Sequence, residues 1–498
     1  MRSRRWAATN TVALLLVSSV ASAQSFRLLE ATIDDVHNAL VSGQITCHSL
    51  VKSYLNRIEA YDKTGPKLNA VQYLNPLALG EARDLDASLA TSGPVGPLHC
   101  IPVLLKDQVE THDMPTTYGS VLFEDFVPDR DATIVTKMKE AGAIILAKTN
   151  MGEFASRYVG SAYGLIRNAY DPTRNPSGSS GGTGTGIAAN FGMVGIGEDT
   201  GGSIRGPAAN CGLVGLRPTW GRVSRYGVDG ACWSIDTIGP VARTVEDCAV
   251  TIGAIAGYDP QDPYTRQTPV PDYGQALTGN ISGLKVGIVK EFLDPDASGV
   301  TAQTRDAVLA AVEVLKGLGA QVKEVSLPLG AKSGVVVRTI THTERVSLHP
   351  EWLRQRPQEY HQNTRVAFTA GNLIPAQVYY KAQKLRALIR QEVLQVLNDV
   401  DVLVQPTSAG PAEVMTPERR LESKEQAKRA LAAGSFRGPY SLAGAPALSM
   451  LCGFTSEGDG GLPLALQIAG RPFDEATVLR IAHAYEQATP WHNRKAPI

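Results

Sequence analysis

Three short stretches carry residues able to pass a proton. One is IPVLLK, an apolar run ending in Lys106. The second is SGSSGG, which contains Ser179, and the third is EDTGGSIRGPAA, which contains Ser203. A serine hydroxyl is a weak nucleophile and needs a base. The usual base is missing locally, because no histidine lies between His112 and His342. A lysine serves as base only when neutral. Burial behind IPVLL would depress its pKa, since desolvation disfavours the charged form. A second serine between lysine and nucleophile can relay the proton. Taken singly, the three stretches read as a solvated charge and two turns; taken together they make a nucleophile, a relay and a base.

Other matches to catalytic patterns fail on context. Ser49-x-x-Lys52 with Lys63-Thr64-Gly65 imitates a penicillin-binding signature, but no Ser-Asp-Asn element accompanies it and both residues fall on the polar face of one helix. Gly178 to Gly182 satisfies G-x-S-x-G, yet RNPS precedes it where a nucleophile elbow needs a strand. GGTGTG follows no strand and lacks the third glycine of a dinucleotide fingerprint. The nine histidines show no paired ligand spacing, so no metal is expected, and His342 and His349 read as polar or core residues. No cofactor motif is present.

In order and spacing, the three stretches resemble the amidase signature family, serine hydrolases with a Ser-cisSer-Lys triad. CIPVLLKDQVETHDMPTTYGS resembles its lysine segment, NPSGSSGGTGTG its Gly/Ser-rich core, and EDTGGSIRGPAANCGLVGLRPT its nucleophile segment. LPLALQIAGRPFDEATVLRIAHAYE resembles its C-terminal strand and helix. The resemblance implies Lys106 as base, Ser179 as relay on a cis peptide and Ser203 as nucleophile. It implies an oxyanion hole from the backbone N–H groups of Thr200, Gly201, Gly202 and Ser203, with Asp199 and Arg205 holding the loop. Ser177 stands where many relatives have glycine. The expected reaction is hydrolysis of a C–N amide bond in a small, hydrophobic amide. Two rival readings share the motifs: a glutaminase-like subunit of an amidotransferase, and a catalytically inactive binding protein on the same scaffold. Candidate acyl-pocket segments are the helix around His342 to His349 and the stretch from Ile374 to Tyr380.

Positioning these residues requires an α/β scaffold. Thr46 caps a helix with Leu50, Val51, Tyr54, Leu55, Ile58 and Tyr61 on one apolar face. IPVLL reads as a strand, DATIVTKMKEAG as a capped helix ending at Gly142, and AIILA as a fully apolar strand. Such alternation predicts a sheet buried on both faces. The Gly- and Ser-rich region from Asp171 to Pro218 contains apolar segments, so it is packed rather than a linker. Helix and strand patterns resume beyond Asp259 and run to DEATVLRIAHAYEQA. The expectation is one large α/β domain over residues 24–498, with a mixed central sheet covered by helices on both faces.

Charge sets further bounds. Lys+Arg and Asp+Glu both number 48, which advertises no nucleic-acid surface and fits a small-molecule amide as partner. Residues 1–23 combine Arg2, Arg4 and Arg5, a short apolar run and Ala21-Ser22-Ala23, a signal-peptide pattern that predicts a secreted or periplasmic protein. No later run approaches the length of a membrane span. Six cysteines leave room for one or two disulfides with no pairing specified. Oligomeric state is not legible.

Overall fold

The computed structural model describes residues 26–416, 423–426, 435–456 and 460–498. The expected signal segment lies outside the described residues. The strands are β1 (Val71–Leu74), β2 (Pro102–Lys106), β3 (Ile144–Thr149), β4 (Val159–Gly160), β5 (Gly164–Leu165), β6 (Val194–Asp199) and β7 (Val214–Arg217). They continue with β8 (Thr237–Ala242), β9 (Lys285–Val289), β10 (Gln321–Val325), β11 (Val402–Pro406), β12 (Ala447–Phe454) and β13 (Pro463–Gly470). Eleven of them form one sheet in the order β1-β3-β2-β6-β8-β7-β12-β13-β11-β9-β10, while β4 and β5 make a separate pair. The sheet is mixed: β3, β2 and β6 are mutually parallel, and so are β11, β9 and β10. The centre is antiparallel, from β6 to β8, β7, β12 and β13.

The apolar strands are buried along their whole length because helices cover both faces of the sheet. Every residue of β2, β3 and β6 is buried. Helix Gly181–Ala188 packs on β2, β6 and β8, and helix Val245–Ile255 on β7 and β8. Thr46 caps helix Cys47–Tyr61 through Ser49 N, and the helix buries Leu50, Val51, Tyr54 and Ile58. Ser49 and Lys52 lie on its exposed side. Cys47, the first residue of that helix, is disulfide-bonded to Cys100, two residues before β2. The other four cysteines are free and buried.

One local expectation needs correcting. Helix Thr133–Glu140 begins after Ala132 with no side-chain cap. Asp131 instead lies against His112 Nδ1 and Lys139 Nζ, each at 2.9 Å. Those partners take the place of the capping bond.

Candidate active site

Strand β2 delivers Lys106 into a dry interior. Its Nζ lies 2.7 Å from Ser179 Oγ and 2.8 Å from Glu198 Oε2, with the Glu198 backbone oxygen at 3.4 Å. Lys106 and Glu198 are fully buried and Ser179 is 1% exposed. Burial lowers the Lys106 pKa below the ordinary lysine range, while the Glu198 carboxylate pulls the other way. Ser179 follows a cis Gly178–Ser179 peptide at the entrance to helix Gly181–Ala188. Gly178 has no room for a side chain, since a Cβ there would strike the Arg157 carbonyl.

Ser203 sits on the turn between β6 and helix Arg205–Asn210, partly exposed. Lys106 and Ser179 touch each other; Ser203 makes no hydrogen bond to Ser179 among the described residues. Asp199, the last residue of β6, builds the turn. Its Oδ1 accepts from Gly202 N at 2.8 Å and its Oδ2 from Ile204 N at 3.2 Å. Arg205 grips both oxygens, at 3.0 and 3.1 Å, and Arg217 reaches Oδ1 at 2.9 Å. Burial alone would push the Asp199 pKa up, but Arg205 and Arg217 hold it well below the usual carboxylate range. Arg205 also donates to Gln467 Oε1 at 2.6 Å and Ser441 Oγ at 2.8 Å. Distant strand and helix residues thus fix the loop.

One N–H of the expected oxyanion set is engaged within the turn itself. The Gly202 N–H already donates to Asp199, because a buried carboxylate must find donors. The N–H groups of Thr200, Gly201 and Ser203 are the donors that remain. Gly202 still needs to be glycine: its φ is +119° and a Cβ would collide with Arg437.

Several residues here escaped sequence reasoning. Glu198 has no role in the sequence reading, yet it is the fully buried partner of Lys106. The detectable signal was a carboxylate directly after the apolar run MVGIG, on the strand that β6 pairs with β2. Asp236 and Arg345 are also buried near the lysine. Burial, then the Glu198 charge, pushes the Asp236 carboxyl far up.

Two cavities adjoin the site and share Gly230 and Leu348 as walls. One, of 420 Å³, is lined by Glu198, Asp236, Cys232, Trp233 and Glu344. The other, of 320 Å³, is lined by Tyr118, Phe123, Phe154, Trp352 and Arg345. Met151 and Ala155 also line it, beside the Gly152 N–H that donates to the Ser179 carbonyl at 3.2 Å. Phe154 stacks near His349 at 4.3 Å between ring centres, and burial lowers the His349 pKa to about 4. Glu344, Leu348 and His349 therefore line the cavities, whereas Ile374 to Tyr380 lines neither. Within that stretch the Tyr379 hydroxyl donates to Glu344 at 2.9 Å, and Tyr380 is 61% exposed.

Comparison with known proteins agrees with this geometry. A family model described as Amidase matches residues 49–479. The chain is similar to a glutamyl-tRNA(Gln) amidotransferase subunit of Geobacter metallireducens, 39% identical over 95% of this chain and 100% of that one. Among solved structures it is similar to native peptide amidase from Stenotrophomonas maltophilia, with TM-score 0.80 and 31% identity over 95% of this chain and 99% of that one. It is also similar to the corresponding glutamyl-tRNA(Gln) amidotransferase subunit from Thermotoga maritima, with TM-score 0.77 and 30% identity over 93% and 96%. With the family's sheet, its Gly/Ser-rich core and a buried lysine against a serine all present, the chain belongs to the amidase family, enzymes that hydrolyse amide C–N bonds.

Proposed function

We propose that Ser203 is the nucleophile of a serine amidase, Ser179 its proton relay and Lys106 its base. The observation that carries this reading is the 2.7 Å contact between Lys106 Nζ and Ser179 Oγ in a water-excluded interior. Ser203 Oγ bonds to the amide carbonyl carbon as its proton passes to Ser179. Ser179 gives its own proton to neutral Lys106. The N–H groups of Thr200, Gly201 and Ser203 receive the oxyanion. The proton then returns along the same path to the leaving nitrogen, and the amine or ammonia departs. Water attacks the acyl-enzyme by the same relay and releases the carboxylic acid. The aromatic lining of the 320 Å³ cavity favours a small amide with an apolar or aromatic part. The decisive test is a panel of amides, anilides, esters and carbamates assayed with wild type and Ser203→Ala. Retained amide hydrolysis in Ser203→Ala defeats the scheme.

Export is part of this proposal. It rests on the Arg-rich, apolar, Ala-Ser-Ala pattern of residues 1–23 and is supported by the Cys47–Cys100 disulfide, since such bonds persist in oxidising compartments. N-terminal sequencing of the mature protein tests it, with Gln24 expected as the first residue.

A second reading is an amidotransferase subunit that releases ammonia from glutamine. The similar relatives, 35–39% identical, carry that name, and the chain spans at least 94% of each of the first five. By name alone this reading has the wider support. Glutamine hydrolysis together with a co-purifying second subunit would establish it, and a cleaved, exported chain would exclude it.

A further inference from the structure

We propose that Glu198 is a positioning residue for the Lys106 base, its carboxylate and its own backbone carbonyl taking the amine's N–H groups so that the lone pair faces Ser179. The inference rests on the reading of Lys106 as base.

Three oxygens surround Lys106 Nζ: Ser179 Oγ at 2.7 Å, Glu198 Oε2 at 2.8 Å and Glu198 O at 3.4 Å. A neutral amine offers two N–H groups and one lone pair. The carboxylate and carbonyl oxygens only accept. The Ser179 hydroxyl is the one neighbour of the three that can donate. Only one assignment satisfies all three contacts: both N–H groups go to Glu198, and Ser179 donates to the lone pair. That is the geometry a base needs before transfer.

Glu198 is itself held rigidly. Its Oε1 accepts from Thr200 Oγ1 at 2.7 Å, and its backbone is paired opposite Ile238 in β8. Thr200 is 4% exposed, so both partners of this bond are buried. The carboxylate has a second effect. When the Ser203 proton moves to Ser179 and the Ser179 proton to Lys106, an ammonium forms 2.8 Å from a carboxylate in a low-dielectric site. Glu198 gains no proton in this sequence. Burial keeps Lys106 neutral beforehand, and Glu198 stabilises the charge it acquires. The other titratable groups acting on the amine are Asp236, from the segment before β8, whose carboxyl burial pushes far up, and Arg345, from helix Ser333–Val346. Asp236 adds to the pull of Glu198 only when ionised, and Arg345 opposes it.

The test uses the full chain with Glu198→Gln, Glu198→Asp and Glu198→Leu, thermal melts to verify folding, and kcat and KM for one amide across pH. For Glu198→Gln we expect kcat to fall roughly ten- to hundredfold with KM within about threefold. The acid limb of kcat/KM moves to lower pH, because the carboxylate's upward pull on Lys106 is gone. Glu198→Asp keeps the charge but withdraws the oxygen, so it lowers kcat less and leaves the limb near wild type. Glu198→Leu loses the most. A wild-type kcat and acid limb in Glu198→Gln overturns the proposal, and so does an equal loss at every pH with the limb unmoved. Where Glu198→Gln does not fold, a wild-type kcat in Glu198→Asp overturns it. Lys106→Ala separates the two levels: hydrolysis retained there defeats the base itself, whereas loss there with an unchanged Glu198→Gln defeats only this role of Glu198.

Discussion

Two lysines lie fully buried on neighbouring parallel strands, Lys106 on β2 and Lys148 on β3. Leu105 pairs with Lys148, and Lys106 with Thr149, so the two side chains leave opposite faces of the sheet. Each meets a hydroxyl and has a carboxylate nearby. Lys148 Nζ donates to Thr116 Oγ1 at 2.8 Å and feels Asp107, whose oxygens accept from Thr117 and Gly119. Burial lowers Lys148 to about 8. A lysine, a hydroxyl and a carboxylate in a dry place therefore do not by themselves make a catalytic base. Lys106 is set apart by its surroundings: Glu198 reaches the 420 Å³ cavity and the Ser203 turn follows directly from the end of β6. Lys148, Thr116 and Asp107 line neither cavity.

The sharpest way to break this comparison is to remove each amine in turn. Lys106→Ala should lower kcat for amide hydrolysis by roughly a thousandfold or more, measured as the rate of acyl-enzyme formation. Lys148→Met should leave kcat per folded molecule within about twofold; a comparable collapse there would make Lys148 catalytic too. A second difference is that β2 is tethered covalently. The Cys47–Cys100 bond spans 53 residues, so Cys47→Ser with Cys100→Ser should cost about 4 kcal/mol in chemical unfolding and spare kcat. For Lys148 the effect lies in stability. Lys148→Met removes a cation felt by the buried Asp107 carboxyl, which keeps its Thr117 and Gly119 donors, and should cost about 2 kcal/mol, recovered in part by adding Asp107→Asn. The smallest effect is on pH dependence. Because the folded pKa of Lys148 lies below the unfolded one, the unfolded chain holds the extra proton between the two values. This group therefore makes wild-type stability rise as pH climbs from about 8 toward the ordinary lysine range, and Lys148→Met should flatten that rise.

Sequence showed most of the scaffold because its signals are local. Thr46 and its helix, the apolar strands around Lys106 and Ile144, and the C-terminal strand pair are written in short-range periodicity. Lys106, Ser179 and Ser203 were legible as a motif. What stayed hidden are partners that only pairing across the sheet brings in. Glu198 is 92 residues from Lys106, and Arg217 is 18 residues beyond Asp199. The Gly202 N–H bond to Asp199 was equally invisible, since it depends on which way the Asp199 carboxylate turns.

The bracing of the Ser203 turn also sets when that turn can be completed. Arg205 is held by Ser441 and Gln467, 236 and 262 residues further along the chain. A ribosome releases Lys106, Ser179 and Ser203 long before it makes those braces. The growing polypeptide thus carries the turn long before the residues that brace it, and the bracing is complete only when synthesis is nearly finished.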